Sequence, residues 1–491
     1  VSLDSYTDAV AHVRQQFEEG LIRAGFKETQ QGWIGLAGAP TNSTQVLISF
    51  PARFPFKPPR VTPVLPDAVP WSWHRELDGA LCLIAEDDHD GLWWTAAPVF
   101  LEHVADWLSQ ATTGWPDDRP DLDLDRYFRP SEKDTRTYLY EEPALLGDGP
   151  FRFRPAKNNT MRAGKGALPK KRANLGNDRA AYVADVGEVD IPPRTWADIS
   201  ALVQPGNKLD ARIRRHEVSV VLLRYRRDEQ DGAILLEVWP TVSGEIAARR
   251  LKSAADTSAA RTARAGVHRS ELSNKSVAII GLGALGSFIA DMLARAGIGR
   301  LTFMDGDLVL PGNIVRHLVG PDAVGLSKGE AVKRYLVARN EITHEDIQVD
   351  DNDLTNPAKA ARLISSHNLV VNATADFSTA ALLHTVAESL DTHILSASLH
   401  DDGTAYRVDI LPPIDGASSV PRLETAFNER TKAPMLFEAG CGSPISPTPP
   451  HAVVEAAAAA VRHSIGLLTE RAVHPAGEAR DLIRVPERKN N

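Results

Sequence analysis

Cysteine is scarce. Two thiols in 491 residues are too few for a disulfide framework or a four-thiolate zinc site. Long apolar runs are missing too. None approaches the ~20 residues a membrane helix needs, and the longest, the alanine-rich stretch around Ala456, reads as a buried helix. There is no basic excess: 55 Lys and Arg face 64 Asp and Glu, a net charge of −9. That balance gives no general attraction to nucleic acid or to an anionic membrane, and Lys170-Lys171-Arg172 reads as solvated linker. The first residues have neither the basic start nor the apolar core of a secretory signal, so a reducing, cytoplasmic location with free thiols is expected. The chain begins at Val1, which suggests a processed or engineered start. What is present, 43% hydrophobic and 24% charged residues, is the composition of a globular protein, and this length suits two or three domains.

The expected fold class is multidomain α/β. In residues 1–125, Ala9, Val10, Val13, Phe17, Leu21 and Ile22 fall at helical spacing and predict a helix over 5–24. Strand-like runs follow at 32–36 and 45–50, then the turn Phe54-Pro55-Phe56-Lys57-Pro58-Pro59, and a second helix over 97–110 after Trp93-Trp94. Residues 126–260 are expected to be a linker and a small β-containing module. Pro, Asp, Arg and Gly dominate 116–180, which predicts loop or extended chain. Runs at 218–225 and 233–239, joined near Asp231-Gly232, predict a hairpin. From 261 to 491 strands (276–280, 300–305, 369–372) alternate with helices (284–296, 328–340), the pattern of a doubly wound parallel sheet.

Gly281-Leu282-Gly283-Ala284-Leu285-Gly286 directly follows the first of these strands and opens a helix. The first glycine permits the tight turn, the second admits phosphate close to the backbone, and the helix N-terminus supplies N–H donors. Alone the loop would suggest NAD. Asp305, Asp307, Asn313, Arg316 and Lys328 follow it, however, and that much cationic and polar chemistry suits a triphosphate whose departing pyrophosphate must be neutralised.

This set resembles the ThiF/MoeB/ubiquitin-activating superfamily over residues 265–470, matching its Gly-x-Gly-x-x-Gly, Asp-x-Asp, Asn-x-x-Arg and downstream Lys. The resemblance implies ATP and Mg2+ as cofactors and adenylation of a protein C-terminal carboxylate. It places Gly281, Gly283, Gly286, Asp305, Asp307, Asn313, Arg316 and Lys328 around the nucleotide, with Arg316, Lys328 and Asp376 catalytic. Asp376, in Asn372-Ala373-Thr374-Ala375-Asp376, would sit near the metal, although the spacing departs from the commoner Asp-x-Thr-Asp form. It also implies a homodimer in which an arginine of one subunit enters the other's ATP site. Arg261, Arg264 and Arg269 lie in the right segment. The family's zinc-binding cysteine pairs are absent.

The two cysteines stand in settings that suggest a relay. Cys441, in Glu438-Ala439-Gly440-Cys441-Gly442-Ser443-Pro444, follows a loop-like stretch. By the same resemblance it would accept the activated carboxylate as a thioester. Cys82 lies in Asp78-Gly79-Ala80-Leu81-Cys82-Leu83. Together with Phe54 to Pro59, His74, Gly79, Leu83 and Trp93 or Trp94, it resembles the ubiquitin-conjugating fold over residues 1–125. In that fold the cysteine carries a thioester to a target amine. The His-Pro-Asn segment of eukaryotic members is replaced by Trp73-His74-Arg75-Glu76, so the oxyanion asparagine is missing. Asp87, Asp88 and Asp90 would orient an incoming lysine or form a solvated loop.

A conjugating half followed by an activating half resembles the fusion enzymes of bacterial CBASS anti-phage and related ubiquitin-like conjugation operons. The implied partners are a protein with an exposed C-terminus, either a ubiquitin-like protein or a cGAS-like nucleotidyltransferase, and a target protein amine. No nucleic-acid or membrane partner is expected. Two alternatives stay open: a sulfur-carrier-type adenylyltransferase, and an adenylating enzyme whose N-terminal part is a non-catalytic binding module.

Overall fold

The computed structural model describes residues 3–39, 42–84, 91–115, 123–141, 147–165, 177–203, 208–227, 230–421, 436–437, 444–471 and 474–482. Cys441 and the trio Asp87, Asp88 and Asp90 lie outside the described residues. The chain divides into two compact units, Val1–Thr257 and Ser258–Asn491.

The first unit begins with helix α1 (Leu3–Arg23). Phe17 and Leu21, one turn apart, are fully buried, while Arg14 pairs with Glu18 on the solvent side. That division of faces is what makes the segment helical here. An antiparallel meander follows: β1 (Lys27–Thr29), β2 (Gly32–Ala39), β3 (Asn42–Ser49) and β4 (Arg60–Pro63). Trp33 and Ala37 of β2 and Val46 and Ile48 of β3 point to one face, as the period of two requires. Helix α2 (Ala97–Thr113), with proline in its first turn, buries Phe100, Val104, Trp107 and Leu108. A Cβ on Gly20 would lie 2.5 Å from that of Ala97, so α1 and α2 meet closely there. Phe17 packs edge-on against Phe54 and Phe100.

A second sheet occupies the rest of this unit. It contains β5 (Thr137–Tyr140), β6 (Gly149–Ala156), β7 (Thr160–Lys165), β8 (Arg179–Glu188), β9 (Val220–Arg227), β10 (Gln230–Pro240), β11 (Ile246–Arg250) and β12 (Ser253–Ala255), with helices α3 (Trp196–Leu202) and α4 (Leu209–Arg214) before β9. The strand order is β11-β10-β9-β8-β6-β7-β5-β12. Its two ends, β11 and β12, are separated in the chain only by Leu251 and Lys252. Leu251 N–H donates to Leu235 on β10, and Tyr138 N–H on β5 donates to Lys252. One extended run therefore hydrogen-bonds to both ends and closes the sheet on itself. Tyr138, Phe151, Phe153, Met161, Val183, Leu222, Leu235 and Leu251 fill one face. The other packs on α3 and α4 and on Trp73, Leu124, Tyr127 and Phe128.

The stretch 116–180, expected as loop or extended chain, supplies β5, β6 and β7 among its described residues. In the middle region lies a closed eight-stranded sheet. The predicted hairpin exists, but Gln230 pairs with Arg227, and Asp231-Gly232 lies within β10 opposite Arg226 and Tyr225. Gly232 serves another purpose: a Cβ there would sit 2.4 Å from the Tyr225 ring.

The second unit opens with short helices α5 (Ser258–Thr262) and α6 (Arg269–Leu272). Then come β13 (Ser276–Ile280), α7 (Ala284–Ala296), β14 (Arg300–Met304), α8 (Lys328–Arg339), β15 (Ile347–Asp350), α9 (Pro357–Ser366), β16 (Leu369–Asn372), α10 (Phe377–Ser389), β17 (Ile394–His400), β18 (Ala405–Leu411), α11 (Pro450–Leu468) and β21 (Gly477–Asp481), with a two-stranded pair β19 (Leu436–Phe437) and β20 (Pro444–Ile445) before α11. The order is β15-β14-β13-β16-β17-β18-β21, parallel through β17 and antiparallel beyond it. Val277 and Ile279 of β13 join the core with α7, α8 and α11. Ala278 and Ile280 join the opposite core with α9 and α10. The second half is thus a Rossmann-like sheet covered on both faces, with its strand order reversing between β13 and β16, where open α/β sheets place their ligands.

Candidate functional site

Three loops meet at that reversal, one each from the C-terminal ends of β13, β14 and β16. Gly281 has φ +86°, and a Cβ there would lie 2.8 Å from Thr374 N, so the glycine loop is seated on the loop after β16. A Cβ on Gly283 would meet nothing within 4 Å. That open space faces the N-terminus of α7, whose first N–H groups have no side-chain cap, the arrangement a phosphate occupies in such loops. A Cβ on Gly286 would fall 1.8 Å from the carbonyl oxygen of Gly281, so only glycine lets α7 pack onto the loop.

Asp305, just past β14, ties the parts together. One carboxylate oxygen accepts from Leu282 N–H at 2.6 Å and the other from Asp307 N–H at 2.9 Å. Lys328, at the first position of α8, donates to Asp307 Oδ2 at 2.6 Å and stands 3.7 Å from Asp305 Oδ1. Asn313 spends its side-chain oxygen on Leu310 N–H, a turn-forming role. Arg316 donates to the Ser446 carbonyl at 2.8 Å, which tethers it to chain a few residues downstream of Cys441. Asp376 caps α10 through Oδ2, which accepts from Thr379 N–H at 2.7 Å and Thr379 Oγ1 at 2.8 Å. These hydrogen bonds hold its carboxyl below the usual range. Asp376 is itself exposed. Before it, Asn372, Thr374 and Asp376 are linked by hydrogen bonds, and Ala375 is held at φ +56°, a conformation that costs a non-glycine residue ~1–2 kcal/mol. Among the described residues no group of three or more His, Cys, Asp or Glu could hold a metal. A Mg2+ ion carried by phosphates needs only one or two carboxylates, and Asp376 meets that need.

His317 was missed by sequence reasoning, and its one signal was its place next to Arg316. It is buried, donates from Nε2 to the Leu282 carbonyl at 2.7 Å, and accepts at Nδ1 from Val319 N–H at 3.2 Å. Both bonds are satisfied by the neutral Nε2–H tautomer. Leu282, in the middle of the glycine loop, is thus gripped by Asp305 on its N–H and by His317 on its carbonyl. Burial first, and the Lys328 ammonium second, lower the His317 pKa from its usual 6.5, against the Leu282 bond that raises it. The unfolded chain then binds the proton more readily. Stability from this group is fully present above about pH 6.5 and falls as pH drops below it. We expect the thermal midpoint of the wild type to fall on going from pH 7 to 5.5, and the fall to be shallower in His317→Gln, as measured by calorimetry.

Arg261, Arg264 and Arg269 are not brought to this site. They line a 440 Å³ cavity with Arg295, Arg339 and Glu341, beside the α7–β14 turn at the opposite end of the parallel strands, and Arg261 pairs with Glu341 at 2.7 Å.

Cys82, half-buried with a free thiol, belongs to the first unit. Its N–H donates to the His74 carbonyl at 2.9 Å, and its carbonyl accepts from Trp107 Nε1 at 2.9 Å. His103 Nε2 lies 2.6 Å from the Leu83 carbonyl, and Trp94 Nε1 donates to Pro55 at 2.7 Å. The residues singled out in the sequence are therefore joined: the Phe54–Pro59 turn through Trp94, and the Cys82–Leu83 segment through Trp107 and His103 of α2. His74 stacks on Trp115 with ring centroids 3.7 Å apart. Sequence reasoning also missed Arg126, whose Nη2 donates to Cys82 Sγ at 3.2 Å.

An uncharacterized protein, y4oA of Sinorhizobium fredii, is 49% identical over 67 residues, 14% of this chain and 11% of that protein. Ubiquitin-like modifier-activating enzyme 5 of Drosophila ananassae is 43% identical over 77 residues, 16% of this chain and 18% of its own length. The matched stretch thus spans less than a fifth of these curated relatives. Among solved structures, E. coli MccB with ATP is 19% identical with a TM-score of 0.34, covering 45% of this chain and 66% of that one; E. coli MccB with MccA is 19% identical with a TM-score of 0.35, covering 46% and 73%. Residues 257–469 match the ThiF family, and the C-terminal region is a ThiF family domain.

Proposed function

We propose that the chain adenylates the C-terminal carboxylate of a protein with ATP, takes it onto Cys441, passes it to Cys82, and conjugates it to a target amine, in a bacterial ubiquitin-like or CBASS anti-phage system. The observation that carries the first step is the Lys328 ammonium held between Asp305 and Asp307 beside the open Gly283 backbone. The ThiF match and the short likeness to a ubiquitin-like modifier-activating enzyme support a protein carboxylate as substrate. ATP supplies the adenylyl group and the pyrophosphate leaving group. Gly281, Gly283 and Gly286 shape the phosphate seat, and Asp305 keeps lone pairs for ribose hydroxyls. Arg316 and Lys328 offset charge on the departing phosphates. Asp376 offers its exposed carboxylate to Mg2+.

The second half of the reading rests on the first unit. A helix, a four-stranded meander, an extended segment carrying the half-buried Cys82 and a second helix follow one another, which supports the conjugating reading. Covalent linkage of both sites raises their effective concentration, so transfer need not await diffusion. A homodimer is part of the proposal, with an arginine from 261–269 serving the neighbouring subunit.

Pyrophosphate exchange and thiol-sensitive adducts test the whole, using ATP and candidate proteins encoded beside the gene. Exchange should persist in Cys441→Ala and in Cys82→Ala, and Cys441→Ala should abolish the adduct on Cys82. Adducts indifferent to either cysteine would reduce the chain to an adenylating enzyme with an N-terminal binding module.

A further inference from the structure

The conjugating reading leaves a chemical gap, because the asparagine that steadies the oxyanion in eukaryotic members has no counterpart beside His74. We propose that Arg126 fills it, as the cationic donor that stabilises both the oxyanion and the departing thiolate when an amine attacks a thioester on Cys82. This inference rests on the role given to Cys82 above.

The geometry supports it in three ways. Arg126 Nη2 already points at Cys82 Sγ, 3.2 Å away. A thioester carbonyl oxygen lies one bond angle from that sulfur, within reach of a guanidinium that presents five N–H donors in a fixed fork. Second, both partners are fixed to one short strip of chain. Leu124 and Tyr127, flanking Arg126, are each 1% exposed. Tyr127 OH donates to the Trp73 carbonyl at 2.6 Å, and the next residue, His74, accepts the Cys82 N–H. Leu124 N–H is held by Tyr225 OH at 3.2 Å, and Trp107 holds the Cys82 carbonyl. The donor is therefore positioned before any substrate arrives, which is what makes electrostatic stabilisation effective. Third, Arg126 lines a 410 Å³ cavity with Arg60, Glu76, Leu77, Asp78 and Arg129, so there is room beside it for an incoming side chain.

The step balances without further reagents. The amine nitrogen attacks the thioester carbon, and the C=O electron pair moves to oxygen, where the guanidinium meets it. The oxyanion then collapses, the C–S bond breaks, its electron pair leaves on Sγ beside the same guanidinium, and the ammonium proton passes to water. The products are an amide and free Cys82.

The test does not require the natural donor. In full-length Cys441→Ala, Cys82 is the only thiol, and it can be loaded with N-acetylglycine by exchange with a small synthetic thioester. Aminolysis by free lysine is then followed by intact mass. Arg126→Gln should slow it about tenfold or more, and Arg126→Lys, which keeps the charge, should recover part of the rate; equal thermal midpoints establish that the fold is intact. Equal aminolysis rates in the parent and in Arg126→Gln would overturn the role of Arg126. If the loaded parent reacts with lysine no faster than an N-acetylglycyl thioester of a short cysteine peptide, the conjugating role of Cys82 itself fails, whatever Arg126 does.

Discussion

Lys328→Ala is expected to lower ATP–pyrophosphate exchange by about 10²–10³, the range seen when a single preorganised donor is removed from a site of developing charge. The substitution does more than remove a cation. Lys328 Nζ lies 2.6 Å from Asp307 and 3.7 Å from Asp305, so its loss leaves two carboxylates facing the place where phosphate must sit. Repulsion is added to lost attraction. Asp305 keeps its backbone donors Leu282 and Asp307, but its side chain is only 8% exposed and that of Lys328 12%, so losing the cation should also lower folding stability by about 1–3 kcal/mol. Lys328→Arg should recover little, because a planar fork does not replace a compact ammonium seated between two acids. Exchange within a few-fold of the parent in Lys328→Ala would mean that phosphate charge is neutralised elsewhere.

The second large effect separates folding from binding within one loop. Gly286→Ala puts a methyl group 1.8 Å from the Gly281 carbonyl oxygen and 3.3 Å from Ala373 Cβ. Gly281 cannot retreat, because it is itself lodged against Thr374. Helix α7 must therefore lift from the sheet and disturb the core formed by Leu285, Ile289 and Leu293, at a cost of ~3 kcal/mol or more. Gly283→Ala meets no atom of the protein within 4 Å and should leave the melting temperature of the second unit nearly unchanged. Its methyl group instead occupies the space left for phosphate, and ATP affinity should fall about tenfold or more. Calorimetric melting and ATP titration on both variants check the contrast. Similar melting losses in both would mean that Gly283, too, is a packing glycine.

How much of this could be read beforehand depends on whether the signal was local. Strand β13 and helix α7 begin and end at the predicted residues, because apolar runs, the glycine loop and the terminal Gly297 mark them in sequence. Asp305, Lys328 and the glycines could be placed together because their order follows the strand–loop–helix period. Strand β6 was missed although Phe151 and Phe153 are buried and the intervening Arg152 and flanking Arg154 are not. The Pro150 and Pro155 around that alternation outweighed it. Arg126 is separated from Cys82 by 44 positions, and its approach depends on how Leu124 and Tyr127 seat in a core built by strands a hundred residues later. No spacing rule reaches that far. Cys441 falls outside the described residues, and the role proposed for it rests on the family resemblance and on thiol chemistry.

The closed eight-stranded sheet has a consequence for how copies of this chain can associate. An open sheet of that width would end in rows of unpaired N–H and C=O groups, a template on which a strand from another molecule can add and propagate. Here Leu251 and Lys252 carry the chain from one rim to the other, and Arg129 to Ser131 hydrogen-bond to Arg250. This sheet is thereby withdrawn from intermolecular pairing, and among the larger sheets of the described residues strand addition has to be sought at the edge strands β1, β4, β15 and β21. Closure protects against aggregation as well as organising the core.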